Sequence, residues 1–281
     1  MPTFDTPDPI SATIEVVAGD VRISAGDRSA TIVTVDPTDA TSEEDRKVAE
    51  LTRVEYANRQ LLVKAPKQRS WRPSRTGGSI DVTIELPAGS QVHGAAALAD
   101  FHCDGPLGEC RIKTGLGGIR LDRAGALSLK SGIGDITVDR ATGHAEVTTG
   151  SGDVRVRDLD ADAVIKNSNG DTWVGVAGGD LRVNTANGSI AVDRADAGVD
   201  AKTAHGDVRV RDVVRGSVVL KTHAGDLEVG IREGTAAWLD VSATAGRVHN
   251  ALDSADAPEP STESVEVRAR TTVGDIVIRR P

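Results

Sequence analysis

Gly134-Asp135-Ile136-Thr137-Val138, Gly152-Asp153-Val154-Arg155-Val156, Gly188-Ser189-Ile190-Ala191-Val192 and Gly206-Asp207-Val208-Arg209-Val210 are one phrase written repeatedly. Each is glycine, a small polar residue, then apolar, any, apolar, and Gly170-Asp171 opens a further copy. From Gly134 to Gly206 every step is 18 residues, and the steps out to Gly117 and Gly225 are 17 and 19. A fixed period of this size marks a stack of equal units. Half a period later lies a second apolar alternation: Leu127-Ser128-Leu129, Ala145-Glu146-Val147, Val164-Ile165, Leu181-Arg182-Val183 and Val219-Leu220. Each unit is therefore two short strands and two turns, with one strand face buried and the other in water. A helix cannot hold a 3.6-residue apolar stripe through this alternation with a glycine in every unit. Glycine at the turn suits positive φ or close backbone approach. The reading is an all-β solenoid of coils about 18 residues long, each stabilised by its neighbours.

Composition agrees. Of 281 residues 38% are apolar but only 2% aromatic, as a thin interior of Val, Ile, Leu and Ala requires. The formal net charge of −9 disfavours an extended nucleic-acid face. MPTFDTPDPI has neither a basic nor an apolar leader region. No stretch approaches the roughly 18 consecutive apolar residues of a membrane helix. A cytoplasmic location is the expectation. Cys103 and Cys110 are too few for a structural zinc site, and their reduced form is the default there. Strand-to-strand bridging stays open if they are oxidised.

The first hundred residues are β-rich but less regular. Ala12–Val17, Gly19–Ile23 and Ala30–Val35 are strand candidates, and Gly19-Asp20 repeats the turn phrase. Ser42-Glu43-Glu44-Asp45 reads as a capping box opening one short helix. A hairpin turned at Asn58 joins Val54–Tyr56 to Leu61–Val63, and Ser79–Leu86 alternates into the turn Pro87-Ala88-Gly89. The expected division is an irregular region over 1–98, sandwich-like or made of opening coils, and a solenoid over 99–281. An acidic, proline-containing loop occupies 253–264. Val265–Arg270 and Gly274–Ile278 are expected to finish the stack, with Arg279-Arg280-Pro281 blunting its edge.

The repeated Gly-Asp strands, with Ile84-Glu85-Leu86-Pro87-Ala88-Gly89-Ser90, resemble the bacterial β-strand-repeat family of unknown function named putative adhesin. The resemblance covers most of the chain, strongest from about Gly78 onward. It implies a right-handed parallel β-solenoid, or β-helix, without established catalytic residues.

Two features compete as sites. Asp135, Asp153, Asp171, Asp207 and Asp226 occupy equivalent turn positions, interrupted by Ser189. Stacked coils would bring such carboxylates to about 5 Å. Calcium would suit oxygen ligands, but Asp directly follows Gly here, unlike the calcium-binding nonapeptide repeat. The expected role is capping of turn N–H groups. Lys67, Arg69, Trp71, Arg72 and Arg75 form the one basic-aromatic cluster, suited to a contact loop. Lys113, Lys130, Lys166, Lys202 and Lys221 read as a solvated face, and His205 and His223 as neighbours on adjacent coils. No nucleophile elbow, phosphate loop or dinucleotide fingerprint is present. No catalytic, cofactor or metal residue is assigned. The expectation is a non-catalytic scaffold presenting its repeated surface to a protein partner or to itself. The alternatives are a ligand- or envelope-binding module using the Trp71 loop and, behind it, a carbohydrate-active β-helix enzyme.

Overall fold

Strands that alternate apolar and polar residues must lay one face on an interior, and short coils can do so only by stacking. The computed structural model describes residues 1–66, 78–252 and 263–281. They form 25 β-strands and one short α-helix, in two units, Met1–Val138 and Asp139–Pro281.

The first unit contains β1 (Thr3–Asp5), β2 (Ser11–Gly26), β3 (Ala30–Pro37), α1 (Glu43–Leu51), β4 (Arg53–Ala57) and β5 (Gln60–Lys64). After them come β6 (Ile80–Pro87), β7 (Gln91–Pro106), β8 (Cys110–Leu116), β9 (Ile119–Ala124) and β10 (Leu127–Ile133). β2 and β7 are each long enough to supply both strands of a coil. β2 runs parallel to β5 and β6 on one side and to β7 on the other. β7 in turn carries β8 and β9, and β8 carries β10, all parallel. Spatial order thus departs from chain order: the coil made first, β2, lies second. β4 and β3 pair antiparallel with β5 and β6 and cover the outer edge of that coil. β1 pairs antiparallel with β3. Ser42 caps α1, its hydroxyl accepting the Asp45 N–H at 3.2 Å. Asn58 and Arg59 take φ of 52° and 61°, the two positive values a tight hairpin turn needs. The buried apolar side chains of this unit are aliphatic apart from Cys103, Cys110 and the fully buried Phe101. Phe101 fits because Gly94 faces it, where a β-carbon would stand 2.6 Å from the ring.

β11 (Ile136–Ala141) spans the boundary between the units. The second unit holds β12 (Ala145–Ser151), β13 (Val154–Leu159), β14 (Ala163–Asn169), β15 (Thr172–Ala177), β16 (Leu181–Asn187) and β17 (Ile190–Ala195). It continues with β18 (Val199–Lys202), β19 (Val208–Val213), β20 (Gly216–Ala224) and β21 (Leu227–Ile231). Even-numbered strands make one parallel ladder, with Val147, Ile165, Val183, Ala201 and Leu220 in register. Odd-numbered strands make the other, with Val156, Val174, Val192, Val210 and Val229 in register. All ten side chains are buried, each Val or larger side chain contributing about 1.5–3 kcal/mol.

The last coils are β22 (Ala236–Ala245) with β23 (Val248–Asn250), and β24 (Ser264–Val273) with β25 (Ile276–Arg279). β20 and β21 pair with β24 and β25, whose other side carries β22 and β23. The expectation that Val265–Ile278 finishes the stack is corrected: that segment lies one coil inward. Nor does Arg280 blunt an edge. Its guanidinium donates to the carbonyls of Ile231, Arg232 and Thr235 at 3.2, 2.6 and 3.2 Å, pinning the loop that leads into β22.

Two features make the turn glycine indispensable. At Gly188 φ is +138°, and a β-carbon would stand 2.1 Å from the Gly170 carbonyl oxygen of the preceding coil. Gly234 shares the sign, φ +80°, but has open space around it. Gly188→Ala should therefore destabilise the fold by about 2–3 kcal/mol or more, and Gly234→Ala by only about 1–2 kcal/mol. Urea titration of both variants checks the difference.

Candidate functional site

The repeat aspartates make a continuous chain of caps. In the second unit Asp153 Oδ1 accepts the Asp171 N–H at 3.0 Å, and Asp171 Oδ1 accepts the Ser189 N–H at 2.8 Å. Ser189 keeps the pattern through its hydroxyl, 3.4 Å from the Asp207 N–H. Asp207 caps Asp226, Asp226 caps Asp275, and Asp275 caps Arg247, each at 2.8 Å. The caps follow spatial order: Asp226 reaches Asp275, 49 residues on. Asp135, in the first unit, is exposed at its turn, and its carbonyl accepts the Ile119 N–H at 2.9 Å. The carboxylates of Asp153, Asp171, Asp207 and Asp226 are spent on the next coil's backbone.

Two further columns escaped the sequence reading. Three residues before the turn glycine stands a buried Thr, Ser or Asn, and in several coils it donates to the glycine carbonyl of the preceding coil. Thr203 reaches Gly188 O, Thr222 reaches Gly206 O and Thr271 reaches Gly225 O, all at 3.0 Å. Asn167 does the same to Gly152 O at 3.0 Å, and Ser131 to Gly117 O at 2.8 Å in the first unit. At the opposite turn Asp162 caps Asp180 and Asp180 caps Gly198, at 2.9 and 3.0 Å. The signal for both was in the same period: Thr203-x-x-Gly206, Thr222-x-x-Gly225 and the 18-residue step from Asp162 to Asp180.

Outward side chains are mostly paired with near neighbours. Lys202 meets Asp200 at 2.8 Å and Lys166 meets Glu146 at 4.0 Å, so these lysines answer acids on their own face. Such exposed pairs contribute at most about 1 kcal/mol each. A shallow groove of about 540 Å³ crosses this ladder, lined by His144, Asp162, Asp180, Arg182, Asp200 and Ser217 among others. The His205 and His223 rings lie edge to face, centroids 6.4 Å apart. Among the described residues no group of three His, Cys, Asp or Glu is placed to hold a metal ion. Lys67, Arg69, Trp71, Arg72 and Arg75 lie outside the described residues. In the first unit Leu98, Leu116 and Ile133 stack in register as an exposed aliphatic stripe. In the second unit the most exposed large apolar side chain is Trp238 on β22, 78% accessible.

The profile of the Toastrack DUF4097 family matches residues 11–279. The chain belongs to this family. Similar solved structures include a putative adhesin from Parabacteroides merdae, 13% identical over all of this chain and 95% of its own, with a TM-score of 0.41. Another, from Bacteroides fragilis, is 12% identical over 99% and 95%, with a TM-score of 0.36. A putative cell adhesion protein from Clostridium sporogenes is 10% identical over 100% and 98%, with a TM-score of 0.25. None of the curated proteins is a detectable relative. No described helix of this Toastrack chain is long and apolar enough to cross a membrane.

Buried thiols and one charge cluster complete the electrostatics of the Toastrack chain. Cys103 and Cys110 are free. Burial, then the neighbouring Glu109, pushes the Cys110 thiol up to about 12. Burial followed by Cys110 and Asp104 raises Cys103 as well, so both stay protonated and unreactive at neutral pH. Glu228 lies between Arg209 and Arg279, the latter donating through Nε at 2.8 Å. Burial opposes its charge, but hydrogen bonds from Arg279 and Arg209 prevail and hold the carboxyl below its ordinary value.

Three outcomes follow. Asp171→Ala strands the Ser189 N–H and should cost about 1 kcal/mol, while Asp171→Asn keeps an acceptor and should cost less. Thermal melts with and without calcium should coincide for wild type if the column only caps. Because the folded pKa of Glu228 is depressed, its stabilisation is present above the unfolded value of about 4.3 and lost as pH falls through the folded one. Glu228→Gln should therefore flatten the acid limb of the stability-against-pH curve.

Proposed function

We propose that this Toastrack chain is a non-catalytic scaffold that presents stacked columns of side chains to a protein partner or to a second copy of itself. One observation carries the reading. The regularly spaced carboxylates, which an enzyme would gather in a cleft, are spread along the turns and committed to the next coil's amides. The regularity serves stacking, and stacking yields a stiff surface that repeats with the coil. On the sequence grounds given above, the basic segment with Lys67, Arg69, Trp71, Arg72 and Arg75 belongs to the proposal as the contact loop.

The test is an affinity capture from native bacterial lysate with the full chain and an Arg69→Ala, Trp71→Ala, Arg72→Ala variant. The expected result is one stoichiometric protein held by wild type and lost from the variant, with unchanged circular dichroism. Identical capture by both moves the contact off this loop. Turnover of glycan substrates by the purified chain would overturn the scaffold reading.

A further inference from the structure

We propose that the outer edge of the β22–β23 coil is a docking edge for a second copy of this chain, joined through the same coil in a two-fold pair. The proposal rests on the scaffold reading and names one partner and one site for it.

The first argument is the backbone. Among the described residues β22 and β23 pair only inward, with β24 and β25. Ala236 N–H donates to Glu263 O at 2.9 Å, and Arg247 O accepts from Ile276 N–H at 2.9 Å. In a parallel ladder alternate residues turn their N–H and C=O to opposite sides. Leu239 and Val241 in β22, and Val248 in β23, thus direct both groups at the outer edge. A row of unpaired donors and acceptors is a template for another strand.

The second argument is the side chains. β22 reads AAWLDVSATA, without the lysine, proline or bulge glycine that guards an edge. Its single charge, Asp240, is already paired with Arg270 at 3.1 Å. Leu239 and Val241 are half-buried, whereas their register partners one coil inward, Val267 and Ala269, are 0% exposed. Trp238 is 78% exposed and Val248 45%. Among the described residues no strand covers this side of the coil.

The third argument selects the occupant. A fitting partner needs two strands held at the spacing of one coil, with an apolar interior between them, which is what another coil edge offers. In the first unit the outer edge of β5 and β6 is already covered by β4 and β3. The β22–β23 edge therefore meets its own copy, β22 antiparallel to β22, and a contact that uses the same patch twice closes as a dimer. Charge permits this, because the only acid on the strand already has its arginine. Away from the edge each copy carries a formal −9, so salt should strengthen the pair by screening the repulsion between copies.

The experiment is sedimentation velocity on the full chain across a wide concentration range, at low and moderate salt. Wild type should show a monomer–dimer equilibrium that tightens with salt. Leu239→Pro removes a donor from the outer edge while leaving the bonds to β24, and Trp238→Lys places a charge on the strand. Each should weaken the dimer about tenfold or more, with circular dichroism unchanged and the melting midpoint unchanged at concentrations where wild type is monomeric. If the proline variant does not fold, the lysine variant decides. A strict monomer, oligomers that grow past two, or variants that associate like wild type would each overturn the proposal. A monomer would leave the protein-partner reading to the lysate capture, whose outcome does not depend on this edge.

Discussion

Adjacent coils come so close at the glycine turn that a β-carbon has no room there, and the rest of the architecture is arranged around that approach. At Gly274 a side chain would begin 2.0 Å from the Gly225 carbonyl oxygen, with φ at +139°. The glycine leaves a carbonyl that the strand ladder does not use, and the buried Thr271 hydroxyl of the next coil answers it at 3.0 Å. Aspartate after the glycine takes the amide that comes next. Glycine, hydroxyl and carboxylate are thus three parts of one device that closes the backbone's hydrogen bonds where the sheets end.

The interior follows from the same narrowness. Two ladders with only a short turn between them leave space for Val, Ile, Leu and Ala, as the buried core shows. A ring enters where room is made for it, as Gly94 makes it for Phe101. The two thiols lie in this medium, which keeps them protonated and reserved. Outside, the faces carry exposed ion pairs worth little singly. Stability therefore resides in the stacking, and the surface is free to vary.

Each unit interleaves one coil against chain order. In the first, β2 lies between β6 and β7. In the second, the β24–β25 coil lies between β20–β21 and β22–β23. An interleaved strand is paired on both sides, and the coil displaced outward meets the problem of an edge. Antiparallel β3 and β4 solve it for β5 and β6. For β22 and β23 no described strand does, and the docking proposed for this edge rests on that asymmetry.

The coil, its length and its inward and outward residues were legible in the sequence because they depend on local alternation and on one residue type per turn. The α1 cap, the Asn58 hairpin and the aspartate column were readable for the same reason: each is made within a few residues or repeated at a fixed step. The hydroxyl column was equally periodic, yet a lone Thr among strand residues looks like ordinary β-propensity until its partner carbonyl is seen. The Trp71 segment was read from composition, and its residues lie outside the described structure. Only the tertiary structure decided which coil stacks on which, and with it the edge at Trp238 that no described strand covers. Gly225-Asp226 and Gly274-Asp275 carry the same phrase, so any coil can dock on any other by local rules. The choice of β24 over β22 as the neighbour of β20 is made by pairing across tens of residues, which no period records.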